Sequence, residues 1–404
     1  MTLNYIALAV PAVMLAIGAE FLMAERKGKK VFHFNNSIAN LSIGIAERSL
    51  NIFFAGFSYK VFNYLYLEYG ILTISSQWYN WILLLLLTDF LWYWYHRLGH
   101  EVNLFWAFHI VHHQSEDFNY TASVRITTFQ AMVRILFWSF LPVAGFPPQM
   151  VTVILIVHGG YSFLTHTEMI GNSGWLENIF ITPSLHRVHH ASNPEYLDKN
   201  FGDIFVFWDK LFGTFQKEKE KPKYGLTDPL KSYSFLWQHF HFLLELFYRI
   251  FREKNFKDKI RILFGRPDSL DGSERKVLER FFFRNEVNAR NFSHRHRLYV
   301  LLQISAALIL CFILVLLYLN FTTISNAMSI GLILITLINC GAVLEKKSWV
   351  FITEYIRFVL VISFVFYLLE LPVNISFILL VLIPLCWYSS LKQHYFRLLY
   401  LYEK

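Results

Sequence analysis

Residues 81–113 read WILLLLLTDFLWYWYHRLGHEVNLFWAFHIVHH. The stretch opens as an apolar run and closes in five histidines. From Trp78 to His96 the chain is apolar and aromatic over about the 20 residues that cross a bilayer as a helix. The histidines begin where that run ends. His96 and His100 stand at i and i+4; His109, His112 and His113 stand at i, i+3 and i+4. The second spacing recurs in His186, His189 and His190, and His166 lies between the two. Positions i, i+3 and i+4 share a helix face. Each cluster is therefore expected to aim two or three imidazoles at one point.

Working outward, the whole chain has the composition of a membrane protein. Its 404 residues are 55% hydrophobic and only 16% charged, with a mean hydropathy of +0.38. Soluble domains carry about 25% charged residues. The 41 Phe, 22 Tyr and 11 Trp suit lipid-facing and interfacial surfaces. The net charge of +8 fits basic loops and anionic headgroups. No basic patch on a soluble module stands out, so nucleic acid is not an expected partner. Cys311, Cys340 and Cys386 all lie in apolar segments, which predicts neither a disulfide framework nor a thiolate metal site.

The pattern predicts an all-α, polytopic membrane protein: a helical bundle with a cytosolic cap that carries the histidine boxes. Spans are expected near 5–23, 38–62 and 78–96. A short apolar pair follows at 129–141 and 148–165, broken by Pro142, Pro147 and Pro148. Four more spans are expected near 297–319, 323–344, 349–368 and 372–389, nine segments in all. Arg26, Lys27, Lys29 and Lys30 after the first segment place that end in the cytosol. The polar stretches 97–128 and 167–290 then share the cytosolic side. The expected division is a catalytic part, 1–290, and a C-terminal transmembrane bundle, 291–404. The aromatic and basic run 240–256 reads as an interfacial helix.

A lone histidine at a membrane edge is usually an interfacial residue, and His33, His239, His241, His294, His296 and His394 are read so. The repeated constellation is different. Neutral imidazole ligates iron, zinc, copper and nickel, and eight or nine converging rings exceed one tetrahedral zinc site. They match two metals, and a redox pair of irons is the better use of them. His96, His100, His109, His112, His113, His166, His186, His189 and His190 are the candidate ligands. His158, eight residues before His166 and deeper in an apolar stretch, is left open. Carboxylates that could orient metal-bound histidines are Asp89, Glu101, Glu116, Asp117, Glu168, Asp203 and Asp209. The stretch Trp208–Thr214 is expected to pack and orient the third box. A transporter would place its ligands near the bilayer midplane on broken helices, not beyond the ends of the spans.

These boxes, with Asn200-Phe201-Gly202-Asp203 and Trp208–Thr214 after them, resemble the fatty acid hydroxylase/sterol desaturase superfamily over about 80–215. Three stretches look most like its alkylglycerol monooxygenase branch: 96–103, Ser115–Asn119 and Thr182–His190 with the preceding His166-Thr167-Glu168. The resemblance implies two Fe ions that use O2 to hydroxylate the carbon beside a lipid ether oxygen, releasing a fatty aldehyde. It implies tetrahydrobiopterin as electron donor and a functional role for Glu101. The same boxes would equally serve C-methyl sterol oxidation, acyl hydroxylation or desaturation. Neither a haem domain nor a Rossmann fingerprint occurs in the sequence, so the donor is expected to be separate or diffusible. No pterin pocket can be read from the residues.

Overall fold

A computed structural model describes residues 3–270, 272–283, 294–372 and 374–400. The chain is all-α, with two isolated β-bridges, Phe180 to Phe205 and Ala191 to Tyr224, as the extended pairings among the described residues. It divides into two compact units, one of residues 14–231 and 238–284 and the other of 1–13, 232–237 and 285–404. The sequence-based boundary at 290 lies outside the described residues.

The helices in chain order are α1 (Ala9–Arg26), α2 (Phe34–Tyr69), α3 (Trp78–Glu101), α4 (Asn103–His113), α5 (Tyr120–Ser123), α6 (Gln130–Trp138), α7 (Phe140–Ala144) and α8 (Pro148–Thr165). Then come α9 (Pro183–His189), α10 (Phe207–Leu211), α11 (Phe235–Arg252), α12 (Phe256–Phe264) and α13 (Ser273–Phe282). The C-terminal set is α14 (His294–Leu317), α15 (Thr323–Leu344), α16 (Val350–Leu368), α17 (Ile375–Cys386) and α18 (Tyr388–Tyr400).

In the larger unit α3 packs on α4, α6 and α8, and α2 packs on α5 to α8. Phe62, Leu84, Trp92, Trp138, Phe146 and Val151 form its main apolar core. Proline sets the local breaks: Pro147 precedes α8 and Pro148 takes its first turn, where a missing N–H costs nothing. Gly145, at φ 109°, ends α7 in the left-handed conformation that glycine adopts without a Cβ penalty. The extended Val102 separates α3 from α4, which lets the chain turn back between the first two histidine boxes. In the smaller unit α14 packs on α15 and α15 on α16. The Glu345 carboxylate there accepts from the Tyr233 and Ser234 amides at 2.7 and 2.9 Å.

Several helices are long and apolar enough to cross a membrane: Tyr5–Arg26, His294–Asn320, Thr323–Leu344 and Val350–Leu368. The protein is thus an integral, multi-pass membrane protein. Five of the nine expected segments are not among these four: those in α2 and α3, the short pair, which forms α6 to α8, and the last. At 36 residues α2 is about 54 Å long and at 24 residues α3 is about 36 Å. Both have the length to span, but buried polar residues such as Asn40, Glu47 and Asp89 lower their hydropathy. The last expected span divides into α17 and α18, which meet at a 70° bend. Pro384 near the end of α17 removes a helical hydrogen-bond donor there.

The reading of His239, His241 and His296 as surface positions is corrected: all three are buried. On α11, Gln238, His241, Phe242, Glu245 and Leu246 form one buried stripe at i, i+3/i+4 and i+7/i+8, which is a core-facing helical pattern. Phe247 and Phe251, with Arg249 and Arg252, are the exposed part of the same helix.

Candidate metal centre

The nine candidate ligands converge into two groups, and the groups cut across the boxes. His96, His100, His109, His113 and His189 form one, and His112, His166, His186 and His190 the other. Within each group one nitrogen from every ring lies within 4.8 Å of the rest. Each of the two longer boxes was expected to face a single point. Instead each sends its i and i+4 rings to one group and its i+3 ring to the other. The reason is helical geometry: i and i+4 differ by only about 40° around the axis, whereas i+3 and i+4 differ by about 100°.

Backbone carbonyls fix the rings. Nδ1 of His96 donates to Phe201 O at 2.9 Å, His112 to Arg125 O at 3.1 Å, His166 to Ser162 O at 2.7 Å and His189 to Lys199 O at 2.9 Å. A carbonyl can only accept, so these four rings carry their proton on Nδ1 and present a bare Nε2. His112 and His166 nevertheless hold their bare Nε2 atoms 3.1 Å apart. Two lone pairs at that distance repel unless a cation lies between them. The pairs His96–His109, His100–His113 and His166–His190 show the same Nε2 separation of 3.1 Å. Nitrogens so spaced can all lie about 2.1 Å from one ion. Nε2 of His189, buried without a protein partner, belongs to the same set. The donor set therefore fits one metal ion per group.

Burial favours the neutral form of the rings it encloses most. Eight of the nine are exposed by 9% or less, and His100 is partly buried. Burial first, and neighbouring imidazoles second, push His109, His112, His113, His186, His189 and His190 well below the ordinary imidazole range. A neutral imidazole is the form that binds metal.

The carboxylates act at one remove. Asp209 accepts from Phe201 N at 2.8 Å and Gly202 N at 2.9 Å, and so holds the loop whose carbonyl orients His96. A Cβ at Gly202 would come within 2.5 Å of Phe205 O and 2.8 Å of Asp209 Oδ2, so only glycine fits there. Asp198 and Asn200 both have positive φ, and the Lys199 carbonyl between them receives His189. The Trp208–Thr214 stretch thus positions a ring of the first box, and through Lys199 the loop also holds one of the third. Asp198 lies 3.6 Å from His100 Nδ1 and 3.1 Å from Arg266. That ring holds its carboxyl below the usual carboxylate range.

Glu101 is outside both groups. Its carboxylate accepts from Arg97 Nε at 3.0 Å, and Arg97 donates to Tyr93 Oη at 3.1 Å. Tyr93 meets Thr214 at 3.1 Å, and Thr214 donates to Asp209 at 2.7 Å. Asp117 pairs with His33, and Lys29 Nζ donates to the Glu168 carbonyl. His158 joins neither group. Its Nδ1 lies 2.7 Å from Asp203 and 4.0 Å from Asp89.

Two residues had no signal in the sequence. Arg125 is fully buried and donates to Val111 O at 2.6 Å, Asn40 Oδ1 at 3.1 Å and Gln114 Oε1. Arg187, inside the third box, donates to the Thr167 and Ile170 carbonyls and to Glu218, tying that box to the segment after His166. Both are arginines whose partners lie far along the chain or on the backbone, which spacing alone does not reveal.

One cavity adjoins the groups, and a groove lies along α8 and the start of α9. A cavity of about 40 Å³ is lined by His96 and His109 from one group, His112 and His186 from the other, and Asp203 and Arg134 among others. At about 10–15 Å³ per water centre it takes a few waters or a diatomic gas, not a lipid headgroup. An apolar groove of about 400 Å³ runs past Leu164, Ile170, Leu176, Phe180, Ile181 and Pro183. That is in the range of small-molecule sites, roughly 300–1,000 Å³.

Helices long and apolar enough to cross a membrane, together with two clusters of buried imidazoles, define a class: membrane proteins whose site is of the kind a non-haem di-iron oxidoreductase uses. Residues 81–214 match the fatty acid hydroxylase family. The matched residues include all nine candidate ligands. It is similar to the alkylglycerol monooxygenase of Homo sapiens, 36% identical over 244 residues, which are 60% of this chain and 54% of that protein. With the Xenopus tropicalis alkylglycerol monooxygenase it is 32% identical over 268 residues, 65% of this chain and 59% of that one. An ornithine lipid hydroxylase of Rhizobium tropici is 32% identical over 148 residues, 36% of this chain and 44% of that protein. The match spans little more than half the length of the two alkylglycerol monooxygenases. No solved structure matches the chain.

Proposed function

We propose that this protein is an O2-dependent di-iron lipid monooxygenase that hydroxylates the carbon next to the ether oxygen of alkylglycerols. The hemiacetal so formed falls apart to a fatty aldehyde and a glycerol derivative. The observation that carries the reading is the convergence of buried imidazole nitrogens, five in one group and four in the other, with the bare Nε2 atoms of His112 and His166 facing each other at 3.1 Å. The likeness to alkylglycerol monooxygenases supports the ether substrate.

Two irons held by His96, His100, His109, His113 and His189 and by His112, His166, His186 and His190 would supply the O2 activation. The chain does the rest. Carbonyls of Ser162, Arg125, Lys199 and Phe201 orient the rings, and the core beneath α3 and α8 keeps bulk water out. The 40 Å³ cavity admits a gas-sized molecule to both groups, and the apolar groove beside α8 and the third box suits an alkyl chain. Glu101, through Arg97, Tyr93 and Thr214, steadies the Asp209 loop and thereby His96. A separate two-electron donor, tetrahydrobiopterin by family likeness, completes the reaction.

The site faces the cytosol on this reading. Lys29, in the basic segment after the first span, donates to the Glu168 carbonyl at 3.0 Å. That bond supports a common side for the positive flank and the His166 segment, and basic flanks are cytosolic. The test is a product assay on iron-loaded enzyme given mixed ether and acyl lipids, O2 and a reduced pterin. Fatty aldehyde from alkylglycerols alone is the expected result. A hydroxylated acyl chain without aldehyde, the outcome favoured by the ornithine lipid hydroxylase likeness, would replace this substrate assignment.

A further inference from the structure

The described cavity residues include a single carboxylate, Asp203. It shares the wall with imidazoles of both groups. Its Oδ2 accepts from His158 Nδ1 at 2.7 Å, and the residue lines the cavity. His158 is fully buried, stacks on Trp92 with ring centroids 5.8 Å apart, and faces a second carboxylate, Asp89, at 4.0 Å. Asp89 in turn is anchored by three donors: the Ile204 amide at 2.9 Å, the Phe205 amide at 3.3 Å and Trp208 Nε1 at 2.9 Å. Two carboxylates flank the one buried imidazole, at 2.7 and 4.0 Å. With Asp89 already engaged by three donors, and Nδ1 at hydrogen-bond distance from Asp203, the cluster is built to share a proton rather than to hold a third metal.

Monooxygenation consumes a C–H bond, one O2, two electrons and two protons, and yields an alcohol and one water. Both protons must reach a buried cavity. We propose that Asp203 is the catalytic residue that passes protons to the oxygen leaving as water, and that His158 is its positioning and proton-holding partner. The His158 imidazolium returns a proton to Asp203 after each transfer. The pair is recharged by protons released as the electron donor is oxidised. This assignment rests on the monooxygenase reading and adds a residue to it.

The test uses the full chain, iron-loaded, in lipid nanodiscs, and measures four quantities: irons per chain, O2 consumed, lipid product and peroxide released. Asp203→Asn and His158→Gln are expected to keep two irons and to consume O2 within about twofold of wild type. Lipid product should fall by roughly 10²-fold, the usual weight of a general acid, with peroxide in its place. Asp203→Glu should restore a substantial part of the coupling. Wild-type coupling in Asp203→Asn would overturn the proposal. So would loss of iron in both variants, since the pair would then serve only the scaffold, or a third metal equivalent lost with Asp203. If wild type itself oxidises no lipid, the monooxygenase reading fails, and this assignment with it. A productive wild type with coupled variants sinks the assignment alone.

Discussion

The Phe201 carbonyl accepts the Nδ1 proton of His96 at 2.9 Å, across 105 residues of chain. That contact fixes which nitrogen of His96 is free for a metal. Asp209 fixes the contact, because it holds the amides of Phe201 and Gly202 on the same turn. Asp209→Ala should therefore loosen the five-histidine group without removing a ligand. Loss of an outer partner of this kind typically costs 10–100-fold in metal affinity. Chelator titration of the iron-loaded protein should remove one iron early and the other at its wild-type concentration. Two irons as tightly held as in wild type would end the argument.

The division of the rings predicts which iron each variant loses. His113→Ala removes a ligand of the five-ring group, and His190→Ala one of the four-ring group. His166→Ala should behave like His190→Ala although it stands outside every box. Each should bind about one iron and lose turnover. Metal analysis that found two irons in His166→Ala would remove that residue from the site.

Acid should destabilise the metal-free protein steeply. The buried rings of His109, His112, His113, His186, His189 and His190 sit well below the ordinary imidazole value in the folded state. The unfolded chain binds protons there from about pH 6.5 downward. Below that pH the unfolded state holds more protons than the folded one, so stability falls as pH falls. Each ring contributes up to about 1.4 kcal/mol per pH unit. Melting of chelated protein between pH 8 and 5.5 should show a fall beginning near 6.5. A flat profile would mean that the rings are protonated when folded.

Glu101→Ala should separate function from stability. Arg97 and Glu101 form a half-exposed i,i+4 pair, and such pairs stabilise by less than about 1 kcal/mol. Expression and melting temperature should stay near wild type while turnover falls. Wild-type turnover would take Glu101 out of the reaction.

Arg125 is predicted to matter for folding. Arg125→Ala would remove a donor from Val111 O and orphan the acceptors Asn40 Oδ1 and Gln114 Oε1, at about 1–3 kcal/mol for each orphaned group. It would also free the backbone that receives His112. A fall of several degrees in melting temperature and weaker iron binding are expected together; an unchanged melting temperature would contradict the account.

What the sequence determined is what short-range periodicity encodes. Apolar runs of membrane length, prolines between them and histidines at i, i+3 and i+4 sufficed for the all-α membrane architecture and to single out candidate ligands. The division of those rings into five and four was decided by tertiary structure. His112 and His113 are neighbours in the chain but point about 100° apart, and they find different partners: His166 and His190 for the one, His100 on α3 and His109 one turn back on α4 for the other. The carbonyls that set the tautomers, the Asp209 loop and the Asp203–His158 pair were likewise hidden. Their partners lie 10 to 105 residues apart, or on the backbone, where side-chain spacing carries no record of them.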